Sequence, residues 1–361
     1  MRAAVLFLAC ASLAAPALLA QNKPVTLDAL EDAARLAPQG PGNPVAWNPD
    51  GIRFLYRQGR QLMLYDPATR GSKELVDTAA MDAAAVKPSS PEPQPFDWEN
   101  RRVRESPVQW SSTGNQILYS TGGDVFVVDA ANGKWTQLTK TAVRERDPKL
   151  SPDGKSIAFR RDWDLYTLDI ASRRETRLTT GGSDTLRNGG LDWVYPEELD
   201  LGTAYWWSPD SKSIAYLQFD LSREPVYPHE DLRGLLAIYE PQHYPQAGSN
   251  NPDVRVGVVA AAGGKTRWLD AAGSQDQHLI ARVGWTPDSQ NVYILRPNRV
   301  QNRIELLSVA AASGKASRIL EESDRYWVNL PEDPVFIDGG KQFFMLSERD
   351  GFRHLYLYSS A

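Results

Sequence analysis

The sequence Tyr205-Trp206-Trp207-Ser208-Pro209-Asp210 decides the fold, because its last four residues mark a unit that recurs along the chain. Five copies and a looser sixth begin at Trp47, Trp110, Leu150, Trp207, Trp285 and near Phe336. Most copies contain a tight turn in which proline presets φ and aspartate hydrogen-bonds back to the backbone. Apolar runs of strand type and a second turn follow in the same order, so each copy predicts four short antiparallel strands.

Four-stranded units of this kind form a β-propeller when they are arranged as blades around an axis. One blade cannot bury both of its faces alone, and it therefore needs neighbours. We predict an all-β propeller of about six blades, the last of them incomplete. Chance recurrence of common turns is the alternative, but the five copies share the same downstream order, which argues against it.

The spacing between copies exceeds the usual blade length of about 40 residues in three places, which indicates insertions. They cover Val76–Pro107, Gly181–Tyr205 and Leu221–Asn251. The first is predicted to be a loop over one face of the propeller. Long loops inside a compact fold are commonly functional, and the second insertion holds Leu191-Asp192-Trp193-Val194-Tyr195-Pro196-Glu197-Glu198-Leu199-Asp200.

Composition is typical of a soluble globular protein of the β class. The 361 residues are 42% hydrophobic and 24% charged, and Gly, Pro, Trp and Tyr are frequent. Many turns and many aromatic residues favour strands over helices. The net charge of -5 does not indicate a nucleic-acid-binding surface, so we expect no nucleic-acid partner.

The N-terminus is typical of a secretory signal peptide. Met1–Ala20 combines a short positive start with an Ala/Leu-rich apolar run, and cleavage is expected after Ala20. A membrane anchor is the alternative, but the run is short, contains Pro16 and lacks a basic flank afterwards. Cys10 lies too early in the run for a lipoprotein site, so the mature chain is expected to be cysteine-free and periplasmic or secreted.

The remaining chain is predicted to divide into two parts. Residues 21–44 contain one short helix at Thr26–Leu36, followed by a Gly/Pro-rich linker. The partial propeller then covers residues 45–361.

Two adjacent acids, Glu197 and Glu198, are the candidate binding residues of the second insertion. Pro196 suits the first position of a short helix, which places both acids in its first turn. Neighbouring helical side chains diverge by about 100°, so the two carboxylates can share a ligand only over the helix end. A primary ammonium suits that position, because two carboxylates can accept two of its three N–H donors. An exposed acidic turn is the alternative, and the nearby aromatic residues are more often packing residues than ligand contacts.

The segments Asp192–Glu198 and Trp206–Asp220 also carry a resemblance to a known family. Further similar segments follow at the expected distance: Tyr244–Gly248, Asn251-Pro252 and Val254–Val256. These motifs resemble the dipeptidyl peptidase IV family of serine peptidases, and the similarity extends over roughly Val45 to the C-terminus.

The resemblance implies an eight-bladed propeller followed by an α/β-hydrolase domain, in an enzyme that removes dipeptides from peptide N-termini after proline or alanine. It implies that Glu197 and Glu198 bind the α-ammonium of a substrate peptide with a free N-terminus. It also implies a homodimer for the full-length form. Pro196 stands where some relatives have a third glutamate, which leaves the pair intact.

Two features of the family have no match in the sequence. The propeller arginine that holds a substrate carbonyl has no matching motif, and the candidates for it are Arg101, Arg102, Arg104, Arg160 and Arg161. No Gly-x-Ser-x-Gly nucleophile elbow occurs, and the four histidines show no metal-ligand spacing.

We therefore expect the N-terminal propeller region of an exported serine-type dipeptidyl peptidase, with the C-terminal α/β-hydrolase domain absent. In this expectation the chain contains no catalytic residue, no metal site and no cofactor, and it hydrolyses nothing by itself. The alternatives are a non-enzymatic periplasmic protein-binding propeller and another peptidase of the prolyl oligopeptidase superfamily.

Overall fold

The computed structural model describes residues 45–88, 106–232, 234–271 and 278–360. In these ranges the chain is almost entirely β, with six sheets of three or more strands that follow one another along the sequence. We call these sheets blades I to VI. The predicted signal peptide, the predicted helix and three candidate arginines lie outside the described residues: Met1–Ala20, Thr26–Leu36, Arg101, Arg102 and Arg104.

Blades I to III each contain four antiparallel strands in the order of the sequence. Blade I consists of β1 (Ala46–Trp47), β2 (Phe54–Gln58), β3 (Gln61–Asp66) and β4 (Gly71–Asp77), and is followed by α1 (Ala79–Ala84). Blade II consists of β5 (Val108–Trp110), β6 (Gln116–Thr121), β7 (Asp124–Asp129) and β8 (Trp135–Gln137). Blade III consists of β9 (Glu145–Leu150), β10 (Ser156–Arg161), β11 (Asp164–Asp169) and β12 (Glu175–Arg177).

Blade IV departs from this plan, because its first strand is split in two around a helix. The elements of this region are β13 (Leu186–Asn188), α2 (Val194–Leu199), β14 (Tyr205–Trp207), β15 (Ser213–Asp220), β16 (Val226–Asp231), β17 (Ile238–His243), β18 (Asp253–Ala260) and β19 (Arg267–Trp268). β16 and β17 form a separate hairpin outside the blade. We call this hairpin and its connection, Val226–His243, the arm.

Blade V again has four strands, and three strands of blade VI are described. Blade V consists of β20 (Arg282–Trp285), β21 (Asn291–Pro297), β22 (Arg303–Ala310) and β23 (Ala316–Ser323). Blade VI consists of β24 (Val335–Ile337), a 3-10 turn (Asp338–Gly340), β25 (Gln342–Ser347) and β26 (His354–Ser359). The predicted number of blades is thus confirmed, including a last blade with fewer strands.

The repeated Ser-Pro-Asp turn links the first two strands of a blade. In blade IV the hydroxyl of Ser208 accepts a hydrogen bond from the N–H of Ser213 (2.9 Å) and donates one to Asp210 (2.6 Å). Ser151 in blade III and Thr286 in blade V make the same two types of contact. The hydroxyl therefore closes the turn and the aspartate orients the hydroxyl, which explains why both residue types recur.

The tryptophan before that turn joins neighbouring blades. In blades II, IV and V its indole N–H donates to a carbonyl on the first strand of the preceding blade: Trp110 to Ala46 (2.8 Å), Trp207 to Lys149 (3.3 Å) and Trp285 to Trp206 (3.1 Å). Blade III has Leu150 at this position. Because donor and acceptor both lie on first strands, these strands run side by side along a common inner edge of the blades.

The hydrophobic core lies between the blades. Buried residues of blades I and II form one cluster, those of blades II and III a second, and those of blades III and IV a third. The largest cluster extends from blade IV through blade V to blade VI, and includes the fully buried rings of Tyr195, Phe219 and Phe343. Consecutive blades therefore bury their faces against each other, as the repeat pattern predicts.

All three predicted insertions contain regular structure, and the second holds β13 and α2. The first, predicted as a loop, begins with α1, whose Met81 side chain is fully buried. The third forms the arm, in which Pro228 lies opposite Pro241. Proline donates no ladder hydrogen bond, so this proline-rich segment forms an isolated hairpin instead of adding strands to blade IV.

Candidate functional site

The second insertion interrupts the first strand of blade IV and thereby places α2. β13 pairs with the end of β15 and β14 with its start, so both occupy the same edge of that strand. The other edge of β15 pairs with β18. α2 lies in the chain between β13 and β14. Because first strands line the inner edge of the blades, the helix is placed at that edge.

The start of α2 is set by Asp192. Its carboxylate accepts hydrogen bonds from the N–H groups of Val194 (3.1 Å) and Tyr195 (3.0 Å), two donors that have no acceptor within the helix. The helix therefore begins at Val194, and Pro196 is its third residue. The prediction that Pro196 opens the helix is wrong by two positions. A proline is tolerated here because the N–H groups of the first turn make no intrahelical bond.

The end of α2 is held by residues from two blades. Asp200 ends it in the left-handed conformation (φ 54°) and donates its N–H to the carbonyl of Tyr195. Arg282 of β20 donates from its guanidinium to the carbonyl of Leu199 at 2.5 Å. A cation at this position also complements the helix dipole. The hydroxyl of Tyr195 accepts the N–H of Ile280 (3.4 Å), so α2 is attached to both blade IV and blade V.

The two candidate acids lie on the outer side of this anchored helix. Val194, Tyr195 and Leu199 are buried in the core cluster, whereas Glu197 is half-buried and Glu198 is exposed. Within the described ranges, neither glutamate carboxylate has a hydrogen bond or an ion pair. Glu197 completes the first turn and Glu198 follows it, so the predicted position of both acids in the first turn holds for Glu197 alone.

The candidate arginines of β10 differ in their surroundings. Arg161 forms ion pairs with Glu145 (2.8 Å) and Glu175 (2.7 Å) and is part of the sheet structure. Arg160 lies over the ring of Trp163, with its guanidinium carbon 5.4 Å from the centroid. A methyl group on Gly190 would approach Arg160 Nη1 to 2.1 Å, so this guanidinium touches the backbone just before Asp192.

Two charged residues beside α2 were not singled out from the sequence. Arg187 of β13 stacks on the same Trp163 ring at 4.4 Å. Glu224 is buried near Asp192 and Arg187. Burial raises the pKa of Asp192 to about 6. Burial also raises the pKa of Glu224, to about 8, and the negative charge of Asp192 contributes to this second shift. Arg187 favours the ionised form of both acids and partly offsets these shifts.

The aromatic residues around the glutamates are packing residues. Trp193 lies against Tyr244, with ring centroids 4.3 Å apart, and Tyr244 continues this contact to Tyr227 at the base of the arm (6.0 Å). Tyr205 is fully buried, and Trp207 makes the bond between blades described above.

The four histidines lie on different elements. His229 and His243 belong to the arm, His278 precedes β20, and His354 on β26 lies 3.2 Å from Asp350. Among the residues that the structure describes, no group of three or more His, Cys, Asp or Glu side chains is arranged to hold a metal ion. In the same ranges, no helix is both long and apolar enough to cross a membrane.

Comparison with curated proteins identifies related chains. The family described as "Dipeptidyl peptidase IV (DPP IV) N-terminal region" matches residues 106–361. The probable dipeptidyl peptidase 4 of Trichophyton verrucosum is 29% identical over 266 residues, which cover 70% of this chain and 30% of the relative. The inactive dipeptidyl peptidase 10 of Rattus norvegicus is 33% identical over 196 residues, which cover 50% of this chain and 24% of the relative.

Solved structures show the same similarity. The dipeptidyl peptidase 4 of Porphyromonas gingivalis matches with a TM-score of 0.74 at 25% identity, covering 94% of this chain and 48% of that one. A putative dipeptidyl aminopeptidase IV from Bacteroides ovatus shares the fold, with a TM-score of 0.66 at 22% identity over 88% of this chain and 42% of that one. The chain thus spans less than half the length of these solved chains and less than a third of the two curated relatives. Since the family match covers more than half of the sequence, the chain belongs to the dipeptidyl peptidase IV N-terminal region family.

Proposed function

We propose that this chain is the propeller region of an exported serine-type dipeptidyl peptidase, in which Glu197 and Glu198 bind the α-ammonium of a peptide substrate. The observation that carries this proposal is the position of the two carboxylates. They lie on an anchored helix at the inner edge of blade IV, and neither has a partner in the described part of the chain. An ammonium group supplies the missing donors.

The arrangement favours a cation as ligand. Two adjacent carboxylates repel each other, and a shared ammonium removes this repulsion while it donates a charge-assisted hydrogen bond to each. Glu197 is half-buried, so the bond to it forms in partly desolvated surroundings, where hydrogen bonds are stronger. A site of this kind fixes the position of the charged N-terminus of a peptide, which suits an enzyme that removes dipeptides.

Bond cleavage is proposed for the whole protein. By resemblance to the family, a Ser-His-Asp triad on an α/β-hydrolase domain transfers the dipeptide to the serine, and water then releases it. In this scheme the propeller restricts entry and fixes the amino end of the peptide. The scissile bond after the second residue is thereby held at a constant distance from Glu197 and Glu198.

The proposal is tested by binding of alanyl-prolinamide to the 361-residue chain, measured by isothermal titration calorimetry in parallel with its N-acetyl derivative. We expect the free amine to bind about ten-fold more tightly or better, because acetylation removes two charge-assisted hydrogen bonds. Glu197→Gln and Glu198→Gln should each weaken binding of the free amine and leave binding of the acetylated peptide unchanged.

The control variant is Glu230→Gln, which neutralises an exposed glutamate on the arm. It should bind both peptides as the wild type does. Equal affinity of the wild type for the free and acetylated peptides would show that the two glutamates do not form an ammonium site. Unchanged preference in the Glu197→Gln/Glu198→Gln double variant would show the same.

A non-enzymatic protein-binding propeller is the second candidate function. One observation favours it: a relative is named an inactive dipeptidyl peptidase. The gene sequence beyond codon 361 separates the two functions. A reading frame that continues into a Gly-x-Ser-x-Gly elbow, with aspartate and histidine downstream, supports the enzyme, whereas a stop codon supports the binding protein.

Export is proposed from Met1–Ala20, whose pattern is that of a cleavable signal peptide. Intact-mass measurement of protein recovered from the periplasm of a bacterial host tests this directly. We expect a mature chain that begins at Gln21. A product that is retained in the cytoplasm with Arg2 still present would refute the proposal.

A homodimer through the arm is proposed for the full-length form. The arm exposes several large apolar side chains: Leu232, Leu235, Leu236, Ile238 and Tyr239. Such patches are rare on monomers, and a lone two-stranded hairpin is only marginally stable in water. In sedimentation velocity we expect Leu235→Asp to convert dimer to monomer and Ile52→Asp, an exposed apolar position on blade I, to have no effect. A monomeric wild type, or a dimer that Leu235→Asp leaves intact, would contradict this.

A further inference from the structure

A buried carboxylate fixes the start of the helix that carries Glu197 and Glu198. Asp192 is 2% exposed, and its two oxygens accept the N–H groups of Val194 and Tyr195. These two bonds are made by different oxygens of the same carboxylate, so they define the plane of the carboxylate as well as the direction of the first turn. The orientation of both glutamates therefore depends on this one side chain at the N-terminal end of α2.

Arg187 holds the chain segment that precedes Asp192. Its guanidinium donates to the carbonyl of Leu191 and to the carbonyl of Asp184, both at 2.7 Å, and stacks on Trp163. Its positive charge favours the ionised form of Asp192. The backbone on one side of Asp192 is thus held by Arg187, and the helix on the other side is held by Asp192 itself.

A second buried acid faces this cluster. Glu224 is 6% exposed, and neither of its carboxylate oxygens has a hydrogen-bond partner among the described residues. The other charged and titratable groups that act on the cluster are Arg160, Arg299, Asp184 and the hydroxyl of Tyr195. If both buried carboxylates were ionised, their two negative charges would exceed the single positive charge of Arg187 by one. This excess favours protonation of one of the two acids.

We propose that Asp192 is a positioning residue of the ammonium site, and that it makes the site depend on pH: the ionised carboxylate holds the start of α2, and protonation releases it. The functional part of this inference rests on the proposed role of Glu197 and Glu198. The structural part concerns α2 alone.

The direction of the pH effect follows from the two acids. The pKa of Asp192 is about 6 and that of Glu224 is about 8, so at neutral pH Asp192 is ionised and Glu224 is protonated. Arg187 then balances the single negative charge. As the pH falls through 6, Asp192 takes up a proton and loses the charge that strengthens its two hydrogen bonds. The helix start is therefore held on the neutral side of this pH and loosened on the acidic side.

The structural part is tested by amide hydrogen exchange of the ligand-free full chain. We expect the protection factors of the Val194 and Tyr195 amides to fall about ten-fold between about pH 7.5 and pH 5 in the wild type. In Asp192→Asn they should be low at both pH values. The Ser213 amide is the matched control, because it is held by a hydroxyl, that of Ser208, which does not titrate in this range. If each of the Val194 and Tyr195 amides has the same protection factor at both pH values in the wild type, the inference is overturned. This comparison uses the wild type alone, so it does not depend on whether a variant folds.

The functional part is tested by the affinity for alanyl-prolinamide across the same pH range. We expect the wild type to bind about ten-fold more weakly at the acidic end, and Asp192→Asn to be weak throughout, without an inflection near pH 6. Absence of binding to the wild type at every pH would refute the proposed function of the glutamates. Binding by the wild type, with the same affinity and the same pH profile in Asp192→Asn, would refute the positioning role of Asp192.

Discussion

We expect Glu224→Gln to stabilise the protein at alkaline pH and to leave its stability at acidic pH unchanged. Glu224 is buried, and both of its carboxylate oxygens lack a hydrogen-bond partner in the described ranges. An ionised carboxylate in this position has lost its hydration, and Asp192 adds like-charge repulsion. Glutamine has nearly the same shape and carries no charge at any pH, so the substitution removes only the titration.

The magnitude follows from the difference between the folded and unfolded pKa. The pKa of Glu224 is about 8 in the folded chain, against an ordinary value of 4.5. Between these values the folded state keeps a proton that the unfolded state has released, so stability falls as the pH rises. One proton corresponds to about 1.4 kcal/mol for each pH unit, which gives the wild type a loss of about 4 kcal/mol between about pH 5 and pH 8 from this group.

The assay is urea unfolding followed by tryptophan fluorescence at several pH values. The free energy of unfolding of Glu224→Gln should fall less steeply with pH than that of the wild type, and the two curves should meet near the ordinary pKa of glutamate. Glu230→Gln, at an exposed position on the arm, should follow the wild type throughout. Parallel curves for the wild type and Glu224→Gln would refute the reasoning, because they would mean that Glu224 is ionised without cost in the folded chain.

Three further substitutions probe the supports of the site and the joints between blades. Arg282→Met removes the donor to the carbonyl of Leu199, and should weaken binding of alanyl-prolinamide about ten-fold while the acetylated peptide is unaffected. Gly190→Ala places a methyl group against the guanidinium of Arg160, and should lower the free energy of unfolding in urea by about 1–3 kcal/mol. Trp285→Phe removes the indole hydrogen-bond donor between blades IV and V, and should lower the free energy of unfolding by about 1–3 kcal/mol in the same assay. Values within error of the wild type in any of these assays would contradict the corresponding contact.

The blades could be predicted from the sequence because their signals are local. The aspartate and hydroxyl of each turn contact each other within a few residues, as Ser208 and Asp210 do, so their recurrence reports the turn directly. The apolar run Asp124–Asp129 is a local signal of the same kind, and β7 has these bounds. The arm is harder to predict from the sequence, because prolines such as Pro228 and Pro241 are typical of loops. Only the pairing of these two prolines in the structure reveals a hairpin.

The site could be predicted in part. Glu197 and Glu198 were identified, and their shared ammonium stays a prediction. Pro196 by itself predicts the wrong helix start, because the carboxylate of Asp192 caps the helix from outside it. Arg187 and Glu224 belong to no recognisable sequence motif. They come together with Asp192 only when β13 pairs with β15. Their role depends on burial, which a single sequence does not display.

The indole hydrogen bonds between blades also impose a direction on assembly. Trp110, Trp207 and Trp285 each donate to a carbonyl that lies earlier in the chain. During synthesis the N-terminal segments leave the ribosome first, so every acceptor strand exists before its donor emerges. Each new tryptophan can then dock onto a blade that is already in place, so the blades can assemble in chain order without waiting for a distant partner.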